Sequence, residues 1–363
     1  MKVVRVDLGE RSYPVYIGGD VARLGEVAGQ FDLGEKVLII SSRPVASLCG
    51  KKVKDALESA AFQVSLARVP DGEKYKTLSQ AAKLYEECAE KKLDRNSTIL
   101  ALGGGVIGDL AGFVASTYAR GINFTYVPTT LLAQVDASIG GKVGVDLPEG
   151  KNLVGSFYQP RFVYMDLRLL TTLPRIQIRE GLAEIIKYGI IEDEDLFLHL
   201  EQNLEEIQTL SLDSLRYVIT RCVQIKAAVV QEDEREKRGK RQVLNFGHTI
   251  GHAIESATGY GRYSHGQAVA VGMIGAARIA NKMGFFRKAL LTRLENLVMR
   301  ADLPTRVEGV NEGKLWDALH LDKKIREKQL CFVLPRRIGE VFLTDKVPLA
   351  LVREAIKELG VEK

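Results

Sequence analysis

Thr98 to Asp109, TILALGGGVIGD, restricts the fold more than any other stretch of the chain. TILAL is uninterrupted apolar sequence, the pattern of a strand buried on both faces. It runs directly into Gly103, Gly105 and Gly108, which stand in GxGxxG spacing, and a helical pattern follows. A strand, a glycine turn and a helix in that order form half of a βαβ unit. Such glycines let backbone approach a pyrophosphate while the helix offers its positive N-terminal end. The motif follows a later strand of the half, not the first. The acidic residue expected ~20 positions further on is missing. Two readings therefore stay open: a dinucleotide site of a different layout, or a tight turn.

The flanking sequence repeats the strand–helix alternation. Val3 to Leu8 and Tyr13 to Ile17 predict a hairpin around Gly9-Glu10-Arg11. Lys36 to Ile40 (KVLII) is a second buried strand. A helical stretch from Val45 to Ala60, a strand from Phe62 to Val69 and a helix from Thr77 to Lys91 follow. Asn123 to Val127 is a further strand, and Phe162 to Asp166 is expected to close the sheet. This order implies an α/β, doubly wound parallel sheet. Residues 128 to 160 interleave Asp136, Lys142, Lys151 and Asn152 with Gly140, Gly141, Gly144 and Gly150. Glycines allow tight turns there, and lysine and amide groups suit phosphate oxygens.

Past Leu170 the pattern becomes helical. TTLP at 171–174 marks the change, so 1–170 reads as an α/β domain and 171–363 as a mostly α-helical one. Ile178 to Ile191 is helical, with Glu184 and Lys187 on one face. Further helices are expected near 195–208, 211–231, 247–257, 266–284, 287–301, 313–320 and 348–360. One short hairpin is expected from Phe332–Leu334 and Gly339–Leu343. A length of 363 residues suffices for two such cores.

Three of the chain's five histidines fall between Arg241 and His265. His248 and His252 in HTIGH are spaced to share one helical face, and His265 follows on a nearby loop. Thr249 stands where HExxH would carry its glutamate base, which excludes a metalloprotease. Neutral imidazoles so grouped suit zinc, and equally they are ordinary polar residues at a core edge. Cys49, Cys88, Cys222 and Cys331 are far apart, so any metal site must draw on histidine and carboxylate. Net charge is +5 and spread along the chain, which fits anionic small substrates. Nothing resembles a nucleic-acid module. No run reaches the ~20 apolar residues of a membrane span, and no signal segment is expected at the N-terminus, so the expectation is a cytoplasmic protein.

Longer motifs carry a more specific likeness. GGGVIGDLAGFVASTYARGI, PTTLLAQVDASIGGKVGVDLPEGKNLVGSFYQP, EGLAEIIKYGI, KAAVVQEDEREKRGKRQVLNFGHTIGHAIE, SHGQAVAVGM and DKK occur in that order. With them the chain closely resembles the 3-dehydroquinate synthases, sugar phosphate cyclases of the shikimate pathway. The resemblance implies an NAD-binding α/β domain, a helical domain holding a divalent metal, and a homodimer. The metal is usually zinc, with cobalt or another divalent ion as a substitute. The implied reaction converts 3-deoxy-D-arabino-heptulosonate 7-phosphate to 3-dehydroquinate and phosphate, with NAD reduced and reoxidised in one turnover.

Carried over by motif position, the resemblance implies Glu184, His248 and His265 as metal ligands, with His252 turned toward the substrate phosphate. Lys187, Asp136, Lys142, Asn152, Lys226, Arg241, Asn245 and Lys323 match substrate contacts. Arg120 matches an arginine that reaches across the dimer. Ser42, Glu73, Lys76, Gly104, Gly105, Val106, Asp109, Thr129, Thr130, Lys151 and Thr172 match nucleotide contacts, with Asp136 and Lys142 shared. The chain departs from the family at Ser41-Ser42-Arg43, where an acid commonly meets the adenosine ribose. It departs also at Val143, where threonine is frequent, and in a longer Glu232 to Arg241 loop. Rival readings are a different sugar phosphate cyclase, such as a deoxy-inosose or valiolone synthase, or a metal-dependent polyol dehydrogenase of the glycerol dehydrogenase type.

Overall fold

The computed structural model describes residues 1–259, 261–326 and 330–362, without the side chains of 321–326. The chain divides into two compact units. One comprises Met1–Leu173 with Leu215–Arg235, the other Pro174–Ser214 with Glu236–Lys363. The helix Leu212–Glu232 thus contributes nearly all its length to the first unit.

The first unit is built on a sheet of seven strands. These are β1 (Lys2–Val6), β2 (Tyr13–Ile17), β3 (Lys36–Ser42), β4 (Gln63–Val69), β5 (Thr98–Gly103), β6 (Asn123–Pro128) and, after a separate hairpin of β7 (Lys142–Leu147) and β8 (Gly150–Phe157), β9 (Val163–Met165). Their spatial order is β1-β2-β9-β6-β5-β3-β4. Only β1 and β2 pair antiparallel, and every other neighbour is parallel. The α/β expectation is therefore met. All six residues of β5 are buried, as are six of seven in β3, which is why their sequences lack a polar face. The last strand does not close the sheet. β9 lies between β2 and β6, because the N-terminal hairpin extends the sheet beyond it.

The chain leaves β3 toward β4 on one side and returns to β5 on the other. The topological switch point of the sheet thus lies between β3 and β5, where ligands of open α/β sheets bind beyond the strand ends. Ser41 is in register with Leu102 there, so Ser42 and the Gly103–Gly105 turn are neighbours. The helix Gly105–Thr117 packs back closely on the sheet. A Cβ on Gly108 would lie 2.4 Å from the Tyr126 ring, so only glycine fits.

The second unit is helical, apart from a hairpin of β10 (Phe332–Arg337) and β11 (Glu340–Thr344). The helices Arg175–Ile191 and His265–Lys282 form its centre, the first buried from Gly181 to Ile191 and the second over most of its length, so the charged Glu184 and Lys187 stand among apolar neighbours. The helix His248–Ala257 lies against the second of these. Gly247, with φ +82°, turns the chain into it, and its carbonyl oxygen sits 1.9 Å from where a Cβ on Gly272 would stand. That backbone-to-backbone approach fixes His248 relative to His265.

Candidate metal and nucleotide sites

In the second unit Glu184, His248 and His265 converge. Glu184 sits mid-helix in Arg175–Ile191 and is 1% exposed, so the ion pair with Lys187 is a buried one and not a surface decoration. Glu184 Oε1 is 3.6 Å from His248 Nε2 and 3.6 Å from His265 Nε2. Two ligand atoms each bound at about 2.1 Å in a tetrahedron stand about 3.4 Å apart. Glu184 Oε1 therefore stands from each imidazole at nearly the spacing that one divalent ion imposes. All three donor atoms lie within 4.8 Å of one another, and two imidazoles with one carboxylate form a zinc-type set. His265 is not on a loop, as its sequence context suggested. It is the first residue of the helix His265–Lys282.

The His248 tautomer suits this role. His248 Nδ1 lies 3.2 Å from the Phe246 carbonyl, which requires Nδ1–H and leaves the Nε2 lone pair facing Glu184. Burial presses the His248 pKa down to about 3, against the pull of Glu184, so its ring is neutral. Burial lowers His265 as well, but the carboxylates of Glu184 and Glu255 outweigh it and push it up to about 10. Both contacts to His265 are at 3.6 Å, an ion-pair spacing and not a hydrogen bond.

Glu255 was not singled out in the sequence. It is buried on the helix His248–Ala257 and meets His265 at Nδ1, the nitrogen that faces away from Glu184. A carboxylate there fixes a ligating ring and raises its basicity. Its signal was available, since HTIGHAIE places Glu255 seven residues after His248 on the same helical face. His252, Glu255 and His265 also lie close enough to hold an ion. Both sets draw on the same imidazole, which faces Glu184 through Nε2 and Glu255 through Nδ1. His252 is exposed, its ring 5.4 Å from that of His248 and 6.3 Å from that of His265. Arg241 is buried with Nε 3.5 Å from Glu236, while Asn245 is exposed. The Lys323 side chain falls outside the described residues.

In the first unit, Lys76 is the hub of a second cluster. Only 3% exposed, it places Nζ 2.8 Å from Asn152 Oδ1, 2.9 Å from Glu73, 3.3 Å from Asp109 and 3.5 Å from Asp146. Burial works against its charge, but Asp109 and Glu73 hold its pKa above the usual lysine range. Burial raises Asp109 to about 6, with Lys76 restraining the rise. Asp146 was missed in the sequence, where a lone aspartate in a glycine-rich hairpin carries no distinguishing signal.

Beside this cluster, Thr129 donates its backbone N–H to the Gly103 carbonyl, and the Thr130 methyl stands 3.0 Å from where a Gly104 Cβ would lie. Gly104, Gly105, Val106, Thr129 and Thr130 therefore share one turn region at the switch point. Ser42 is buried at the end of β3. Lys226 is buried and binds Asp136 twice, at Oδ1 (2.9 Å) and at the carbonyl (2.7 Å). Lys142 and Lys151 are exposed on the hairpin. Thr172 is exposed with its hydroxyl donated to Leu169, and is not drawn into either cluster. Val143 is buried where it would touch a Cβ on Gly112, so its side chain serves packing.

The 3-dehydroquinate synthase N-terminal family matches residues 66–180 and the 3-dehydroquinate synthase C-terminal family residues 181–325. A 3-dehydroquinate synthase of Desulforamulus reducens is 48% identical over 343 residues, covering 94% of this chain and 95% of the relative. Among solved structures, a 2-deoxy-scyllo-inosose synthase complexed with carbaglucose-6-phosphate, NAD+ and Co2+ superposes with a TM-score of 0.88 at 31% identity, covering 98% of this chain and 100% of the other. A 2-epi-5-epi-valiolone synthase from Streptomyces hygroscopicus subsp. jinggangensis with NAD+ and Zn2+ bound gives a TM-score of 0.88 at 27% identity, covering 97% and 98%.

Proposed function

The chain belongs to the 3-dehydroquinate synthase family, and from that premise we propose that Glu184, His248 and His265 hold the divalent metal of a 3-dehydroquinate synthase. The substrate is 3-deoxy-D-arabino-heptulosonate 7-phosphate, and the reaction is that of a carbon–oxygen lyase that eliminates phosphate. The ion is zinc, the nucleotide NAD, and the working unit a homodimer in the cytoplasm. Identity decides against the rival cyclases: 48% to a dehydroquinate synthase against 31% to the inosose synthase. The observation that carries the metal assignment is the 3.6 Å spacing from Glu184 Oε1 to both imidazole Nε2 atoms.

When bound, the nucleotide exchanges hydride with the substrate and the metal polarises the oxygen of the carbon concerned. The protein's own groups do the rest. Phosphate cannot leave until a neighbouring C–H is acidic, and ketone formation beside it supplies that acidity. The departing phosphate takes the proton, so the chain needs few bases of its own. Its task is to fix a multiply anionic sugar and to stabilise developing charge. Lys226, immobilised by Asp136, is a preset cation. Lys187, one helical turn from Glu184, is another. Lys142, Asn152, Arg241, Asn245, Lys323 and the exposed His252 complete the substrate contacts. Ser42, Glu73, Lys76, Gly104, Gly105, Val106, Asp109, Thr129, Thr130, Lys151 and Thr172 hold the nucleotide. With the alcohol restored by the bound nucleotide, ring opening and aldol closure of the eliminated product would give the carbocycle.

Metal analysis after dialysis tests the ligand set. His248→Ala and His265→Ala are expected to lose the metal, whereas His252→Ala keeps it and loses phosphate release. Full occupancy in both of the first two variants would overturn the assignment.

A further inference from the structure

One residue holds the chain on both sides of His265 without touching its ring. Glu180 lies on the helix Arg175–Ile191, one turn before Glu184 and on the same face. Its Oε2 accepts the backbone N–H of Gly266 at 2.6 Å, and its Oε1 accepts the hydroxyl of Ser264. Ser264 and Gly266 are the immediate neighbours of His265. The carboxylate therefore caps the start of the helix His265–Lys282, where an anion is favoured by the unpaired N–H groups and the helix dipole. Gln267 adds a second restraint by returning its side-chain oxygen to the Ser264 N–H at 3.0 Å.

The two backbones are also pressed together at this point. A Cβ on Gly266 would stand 2.7 Å from Glu180 Cα and 3.0 Å from its carbonyl oxygen. Helix Arg175–Ile191 thus supplies Glu184 and, one turn earlier, the grip that sets where His265 begins its own helix. The separation between Glu184 and His265 depends on that grip.

We infer that Glu180 is a positioning residue of the metal centre: it clamps Ser264 and Gly266 so that His265 Nε2 is held at ligand spacing from Glu184. This rests on the reading of Glu184, His248 and His265 as metal ligands. Glu180 contributes no donor atom to the ion. It spares the ion the work of ordering His265, and metal affinity measures that saving. Its role complements that of Glu255, which orients the ring while Glu180 orients the backbone.

Titration of the metal-free protein with Co2+, followed by its visible absorption and by competition with a chelator, separates the possibilities. Glu180→Ala is expected to weaken Co2+ binding by about tenfold or more, the lower end of what outer partners of metal ligands contribute, and to alter the absorption bands. Glu180→Gln keeps one acceptor and is expected to fall between. Ser264→Ala removes the hydroxyl that meets Glu180 and Gln267 while leaving the Glu180 contact to Gly266, and is expected to lose a few-fold, with far-UV circular dichroism unchanged. If Glu180→Ala fails to fold, the other two variants decide. Parental affinity and parental bands in both Glu180→Gln and Ser264→Ala would overturn the inference. His265→Ala is the control. If it binds Co2+ like the parent, the ligand set itself is wrong. If it loses Co2+ while the Glu180 and Ser264 variants do not, only the role of Glu180 fails.

Discussion

At the residue scale the chain is least ordinary where β3 ends. An acid at this point would hydrogen-bond a ribose hydroxyl and repel a 2′-phosphate; here the sequence is Ser41-Ser42-Arg43. Ser41 is not available, because its hydroxyl donates to the Leu102 carbonyl at 2.7 Å across the sheet. Ser42 is buried at the strand end, and Arg43 opens the following helix and is exposed. A hydroxyl lacks the charge-assisted strength of a carboxylate, and the repulsion that rejects NADP is gone. Nucleotide-stripped enzyme assayed with each cofactor is therefore expected to turn over with NAD while discriminating only weakly against NADP. A preference for NAD beyond about tenfold, which is about 1.4 kcal/mol, unchanged in Arg43→Ala, would show that specificity is set elsewhere.

At the element scale, Gly108 shows how the turn at the switch point is held. Alanine is favoured over glycine within a helix by about 1 kcal/mol. Here the added methyl would meet the Tyr126 ring at 2.4 Å. That ring is buried and tied by its hydroxyl to the Gly104 carbonyl at 2.8 Å, so it has little room to yield. Overpacking of this kind costs about 1–3 kcal/mol and outweighs the helical gain. Gly108→Ala is expected to unfold at lower urea concentration and to bind nucleotide more weakly, because Gly104 is displaced with the ring. An unchanged urea midpoint would contradict this account.

The same elements show what was legible in the sequence. Buried parallel strands such as TILAL and KVLII announce themselves by continuous apolar runs, and the helices of the second unit by period and breaks. The β7–β8 hairpin was not read as strands. Its residues are chosen for glycine turns and for the exposed Lys142, Lys151 and Asn152, which blurs any alternation. The sheet order escaped as well, since β9 inserts beside β2 through pairings that no local pattern encodes. In the proposed metal site, the histidine cluster pointed to His248, His252 and His265 alike, and motif resemblance supplied Glu184 and chose His248 and His265. Glu255 could have been found from its place seven residues after His248, whereas Glu180 acts through a backbone contact that only the packed helices reveal.

At the scale of the whole molecule, the open question is whether one chain suffices. Arg120 closes the helix Gly105–Thr117 on a backbone that is costly to form. Ala119, Arg120 and Gly121 have φ of 48°, 68° and 114° in succession. A non-glycine residue in this region costs about 1 kcal/mol or more, and here two do so side by side. The Tyr158 hydroxyl secures the turn by donating to the Ile122 carbonyl at 2.7 Å. The result is an exposed guanidinium that has no hydrogen-bond or ion-pair partner among the described residues. A cation presented at such cost fits a ligand outside its own chain, as the proposed homodimer requires. Arg120→Ala and Lys226→Ala are each expected to be inactive. If Arg120 serves the partner's substrate, a heterodimer of the two variants contains one site with both groups intact. Random reassortment places half the chains in heterodimers, so the mixture is expected to recover about a quarter of parental activity, as twofold symmetry dictates. If Arg120 serves its own chain, every site in the mixture lacks one group. Verified heterodimers without activity would then assign Arg120 to its own subunit and remove the reason for a shared site.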